Sequence, residues 1–125
     1  MKVRYAVLVL LAVSVITACK KNQLGGKSMV QGKVMHHSKL IANARVFIKF
    51  NAKEFPGSDT SKYDAKLSAD ASGSYSFSCY PGNYFVYGFG IDLGVPAPHH
   101  VVAGIPVKVR QNETVKADIP VTEGD

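Results

Sequence analysis

The chain has 125 residues, the length of one domain rather than two. Its 46% hydrophobic and 19% charged composition excludes wholesale disorder, and two cysteines exclude a disulfide framework. The formal net charge of +6 overstates the working surface, because two of the basic residues lie in the first few positions.

Lys2 and Arg4 precede an apolar run from Ala6 to Ala18, broken only by Ser14 and Thr17. A membrane-spanning helix needs roughly 20 apolar residues, so residues 1–18 read as an export signal. Ile16-Thr17-Ala18-Cys19 resembles a bacterial lipobox. The resemblance implies cleavage before Cys19, diacylglycerol on its thiol and acylation of the new amine. Each buried methylene contributes about 0.8 kcal/mol and one chain holds only marginally, so two or three chains would fix the protein to a bilayer. Cleavage removes Lys2 and Arg4 and no acid, which leaves thirteen basic residues against nine acids, a net charge of +4. An exported chain of that modest charge has no nucleic acid as a partner.

Residues 19–28 read as a lipidated flexible tether: Lys20 to Lys27 is polar, carries Gly25 and Gly26, and shows no periodicity. No Asp follows Cys19. By resemblance to lipoprotein sorting rules, this places the protein in the cell envelope, on the periplasmic face of the outer membrane. Gly26-Lys27-Ser28 ends like a phosphate-binding loop, but that loop needs Gly where Lys21 stands and a helix where a strand follows.

From residue 29 to 125 apolar residues alternate with period two, the pattern of half-buried strands. Val30, Gly32 and Val34 mark the first strand, and Ala44, Val46, Ile48 and Phe50 the second. Tyr63, Ala65 and Leu67 mark a third; Tyr75, Phe77 and Cys79 a fourth. Tyr84 to Ile91, Val101 to Val109, and Val115 to Val121 complete the set. Asp70-Ala71-Ser72-Gly73 and Pro81-Gly82-Asn83 read as turns, the first with Gly supplying a positive φ. Seven such strands predict an all-β chain folded as an antiparallel seven-stranded β-sandwich.

Four segments then resemble the carboxypeptidase regulatory-like domain. They are Gly32-Lys33-Val34, Ile41 to Val46, Asp70-Ala71-Ser72-Gly73-Ser74-Tyr75-Ser76-Phe77, and Pro81-Gly82-Asn83-Tyr84. The order covers about Met29 to Val121, although the family's Pro before the second-strand Ala is missing and Asn51 to Lys62 is a long insertion. The resemblance implies a transthyretin-like, or prealbumin-like, sandwich. Such modules are non-catalytic and accompany peptidases, outer-membrane receptors or glycan-handling proteins, and related sandwiches bind sugar.

The chemistry-bearing residues fit a binding module and no enzyme. No G-x-S-x-G elbow or H-E-x-x-H pattern occurs. Cys79 alternates with Tyr75 and Phe77 and reads as a small core residue. His36-His37 and His99-His100 are all the histidines. They fall in connections expected at one end of the sandwich, with Asp70 and Asp92 near. One imidazole from each pair with a carboxylate would make a Zn²⁺ or Cu²⁺ site. Otherwise the only prosthetic group expected is the lipid on Cys19. Tyr80 and Tyr84 flank the Pro81-Gly82 turn as candidate glycan contacts, though Tyr84 matches the family's buried turn tyrosine. Phe85, Tyr87 and Phe89 share one side of a strand, a spacing that core packing explains. The insertion and the Pro-rich Leu93 to Pro98 read as connectors. The expected role is a small envelope lipoprotein that docks a protein partner. A carbohydrate-binding module and a periplasmic metal-binding protein are the alternatives.

Overall fold

The computed structural model describes residues 20–123, so the signal and Cys19 lie outside the described residues. Among the described residues there are ten strands. They are β1 (Leu24–His36), β2 (Lys39–Leu40), β3 (Arg45–Phe50), β4 (Ala65–Ser68), β5 (Ser74–Cys79), β6 (Gly82–Ile91), β7 (His100–Val109), β8 (Thr114–Lys116), β9 (Ile119–Pro120) and β10 (Thr122–Glu123). One 3₁₀ turn lies at Thr60–Lys62. Among these residues no helix is long and apolar enough to cross a membrane.

The strands form two sheets. In one, β1 pairs with β2, β5, β8 and β9; the other has the order β10-β7-β6-β3-β4. Val30 and Val34 of β1 and Tyr75, Phe77 and Cys79 of β5 face Val46, Ile48, Tyr84, Val86 and Val101 across the core. Alternate residues point outward, as a two-layer sandwich requires. The hairpin before β5 is held by Asp70, whose carboxylate accepts the amides of Ser72 and Ser74 at 2.8 and 3.0 Å. Gly73 there has a φ of 74°, a conformation glycine adopts without strain.

Three expectations need correction. Among the described residues the sandwich has ten strands, not seven, and is not wholly antiparallel. β1 pairs in parallel with β8 and β9. The chain leaves β7 at one end, crosses to the other sheet, and therefore runs alongside β1 in the same direction. The single strand expected over Val115 to Val121 keeps its inward alternation but is cut into two, β8 and β9, with β10 following at Thr122. The Asp118 carboxylate, not a backbone carbonyl, accepts the Lys33 amide at 2.9 Å. Pro120 has no amide to continue a ladder. Beyond it, Thr122 pairs with Val102 in the opposite sheet.

The third correction concerns the tether. Leu24 to Ser28 belong to β1, which pairs with Cys79 on both sides of an irregularity between Leu24 and Ser28. Gly25 and Gly26 leave room for the Tyr80 ring: a Cβ on Gly26 would stand 2.8 Å from its Cδ1. Just before them, Asn22 donates its amide to Pro81 O at 3.0 Å, and Tyr80 donates its amide to Gln23 O at 2.9 Å. The Lys20 ammonium sits 5.6 Å from the centre of the Tyr80 ring. Glycine composition concealed a strand that is secured by its partners rather than by its own side chains.

Candidate functional site

β6 is apolar on both phases, so periodicity alone does not say which phase faces the core. Tyr84 and Val86 point inward, and the same phase continues through Gly88 and Gly90. The side chains of Ile119 and Ile41 fill the space these glycines leave: a Cβ would meet them at 3.0 Å and 2.5 Å. Phe85, Tyr87 and Phe89 consequently stand on the face of β6 turned away from the other sheet; Phe85 and Tyr87 are buried there, as core packing predicts, and Phe89 is half-buried.

Register completes that face. Tyr87 is opposite Phe47 of β3 and Gly104 of β7; Phe89 is opposite Arg45 and Val102. On β4, Lys66 is opposite Phe47 and Ser68 is opposite Arg45. The result is an aromatic floor edged by basic and hydroxyl side chains. The outer face of the other sheet is built differently. Gln31 and Lys33 there lie opposite Ser76 and Ser74, and no ring faces outward from those pairs.

The insertion 51–62 is a roof, not a plain connector. Phe55 lies 5.8 Å from Phe85 and 5.7 Å from Tyr87, centre to centre. Tyr63 stacks on Tyr87 at 5.7 Å and meets Phe47 at 6.1 Å. The roof is tied down: Tyr63 donates its hydroxyl to Gly57 O at 2.9 Å, and the Lys49 ammonium donates to Lys62 O at 3.1 Å. Asp59 caps the 3₁₀ turn by accepting the Ser61 amide and hydroxyl, which lower its carboxyl below the usual value. Burial, reinforced by neighbouring Tyr87, pushes the Tyr63 hydroxyl up to about 12; burial also raises Tyr87. Both remain neutral hydroxyls at neutral pH.

The roof leaves part of the face open. One hollow of about 430 Å³ runs between Ser58 and Thr60 of the roof and a floor of Phe47, Tyr87, Phe89 and Val102, with Arg45 and His100 at its edge. A second, of about 760 Å³, continues from Arg45, Phe47 and Thr60 toward Tyr63, Lys66 and Ser68. Because Arg45, Phe47 and Thr60 line both, they form one groove along the sheet. Concave apolar floors with a few placed polar groups are the usual form of small-molecule sites.

The histidines are not gathered as the metal reading requires. His36 and Asp92 do meet: Nδ1 is 2.8 Å from Oδ2. His37 lies beside His36, with ring centres 4.6 Å apart and the rings tilted by 37°. His99 turns its Nδ1 to Val95 O at 2.7 Å, and His100 leaves for the outer face to meet Phe89 at 4.8 Å with the rings tilted by 58°. Asp70 is committed to its turn. Among the described residues no three His, Cys, Asp or Glu side chains converge as a metal set. His99 lies just before β7 with a φ of 67°, while His100 opens the strand, and the two rings go to different partners. Asp92 instead anchors this end. It is 4% exposed and also receives Lys39 Nζ at 2.7 Å and the Gly94 amide at 2.9 Å. Lys39 first, then His36 and Gly94, hold its carboxyl well below the usual carboxylate range.

Tyr84 is wholly buried and is no glycan contact. Its hydroxyl donates toward Tyr80 O and Gln23 O, which pins the turn to the N-terminal segment. Tyr80 is half-buried and already covered by Gly25, Gly26 and Lys20. Cys79 is fully buried and free, and burial raises its thiol. The signal that could have found the groove was present in β6: a strand apolar on both phases from Tyr84 to Ile91, beside a long insertion that carries Phe55 and is followed by Tyr63.

The crystal structure of a "putative carbohydrate binding protein" from Pseudomonas aeruginosa is similar to this chain. Its TM-score is 0.56 at 13% identity, over 79% of this chain and 91% of that one. A DUF3823 family protein from Parabacteroides merdae aligns with a TM-score of 0.43 at 14% identity, over 78% of this chain and 47% of that one, so the chain spans about half its length. No protein-family model and no curated protein matches the chain. The fold is therefore what the Pseudomonas structure shares with the chain, without a transthyretin-like family assignment.

Proposed function

We propose that the domain is a non-catalytic carbohydrate-binding module of the bacterial cell envelope, held at the periplasmic face of the outer membrane by lipid on Cys19. The observation that carries the reading is the roofed aromatic groove. Sugar rings present apolar faces and hydroxyl edges. The half-buried Phe89 ring offers a flat surface to the first, backed by the buried rings of Phe47 and Tyr87, while Ser58, Thr60 and Ser68 offer hydrogen bonds to the second. The Pseudomonas neighbour contributes its fold, and its printed name agrees with the reading.

The test is a glycan array probed with the exported chain. Binding that is lost in Phe89→Ala and kept in Tyr80→Ala supports the groove. Binding to no glycan refutes the reading.

A second reading, docking of a protein partner, rests on the far end of β6. Ile91 is 50% and Leu93 77% exposed there. Crosslinking in native membranes that depends on Leu93 would favour it, and capture unchanged by Leu93→Ser would oppose it.

A further inference from the structure

We infer that the groove selects acidic saccharides, with Arg45 reading a sugar carboxylate; the inference rests on the saccharide reading above and narrows its ligand class. Arg45 opens β3 and is exposed on the outer face. It lines both hollows, so a chain laid along the groove must pass it. Among the described residues its guanidinium enters no ion pair.

The surrounding charges point the same way. Lys66 lines the groove one strand further out. Asp64 is the single acid among the lining residues, and it is already engaged. Its Oδ2 accepts the Phe50 amide at 2.7 Å, and its Oδ1 lies 3.5 Å from the Lys49 ammonium. An incoming anion thus meets two cations and no uncommitted carboxylate.

Guanidinium matches carboxylate as a planar fork, with two parallel N–H···O bonds. A uronate supplies that carboxylate on a ring whose apolar face can rest on Phe89. Neutral sugars can use the same aromatic floor but leave Arg45 without a partner. The predicted selectivity is therefore a difference in affinity between two ligands of the same shape.

The experiment pairs oligogalacturonate, oligoguluronate and glucuronate-containing oligosaccharides with the same chains after carboxyl reduction, and measures each Kd by calorimetry on the exported chain. At least one acidic member should bind roughly tenfold or more tighter than its reduced counterpart, the yield of one charge-assisted contact. Arg45→Gln should abolish that ratio while leaving the Kd of the reduced chain within about twofold. Lys108→Gln, which removes one positive charge outside the groove, should leave the ratio intact. Equal affinity for acidic and reduced chains overturns the inference and leaves the saccharide reading standing. A ratio that survives in folded Arg45→Gln overturns the role of Arg45. Binding to neither set, across the panel and the array, overturns both readings together.

Discussion

Replacing Phe55 by alanine removes the ring that fastens the insertion to the outer sheet. Phe55 is 56% exposed, so a little under half of its surface is covered, chiefly by Phe85 and Tyr87. A buried aromatic contributes on the order of 200 Å², so the covered part is roughly 90 Å², or about 2 kcal/mol at 25 cal/mol per Å². Residual burial in the unfolded chain lowers this to about 1.5 kcal/mol. For a domain of this size that is a fall in Tm of roughly 6–12 °C. A second readout is local. Tyr63 is held near 12 and Tyr87 above its ordinary value because the roof and floor cover them. Loosening the roof should bring both hydroxyls back toward about 10, visible as tyrosinate absorbance appearing at lower pH in Phe55→Ala than in wild type. An unchanged melt together with an unchanged tyrosine titration would refute the packing of the insertion on this face.

Asp92→Asn should destabilise the domain near neutrality. The Asp92 carboxyl is lowered in the folded state, so its contribution is present above its unfolded value near 3.9 and is lost as pH falls toward the folded one. The gap in Tm between wild type and variant should be constant above about pH 5 and narrow steadily below pH 4; a gap that widens in acid would contradict the assignment. Gly32→Ala should cost about 1–3 kcal/mol by denaturant unfolding, because its Cβ would stand 2.0 Å from Ala117 O, a backbone atom of the neighbouring segment. A neutral outcome would mean that the chain after β8 does not approach β1 so closely. Tyr80→Ala should release residues 20–28, so trypsin should cut after Lys27 faster than in wild type by about an order of magnitude; equal rates would show that Tyr80 does not hold this segment.

Much of the strand content was legible because alternation is a local property. Val30, Gly32 and Val34 announce β1, and Ser74 to Cys79 alternates so cleanly that β5 falls where expected. What period two does not encode is choice of partner. Val115 to Val121 keeps one apolar phase while changing sheets at Val121, and only the partners reveal the change. The phase of β6 was hidden for a related reason: both of its faces are apolar, and the core takes the glycine-bearing one because Ile41 and Ile119 enter from other segments. The groove was missed for the same reason, since its rings belong to the phase that spacing assigned to the interior. The histidine pairs were expected in connections, but His36 closes β1 and His100 opens β7; His36 does reach Asp92. Their divergence was not legible, because His99 takes a left-handed backbone conformation just before β7 begins at His100.

Amide chemical shifts followed during titration of the ¹⁵N-labelled chain with a bound oligosaccharide test the central claim most directly. Saturable shifts confined to Arg45, Phe47, Thr60, Tyr87, Phe89 and His100 are the predicted result. Shifts centred on Ser74 to Ser78 of the opposite sheet or on the Tyr80 turn, with this groove silent, would contradict it.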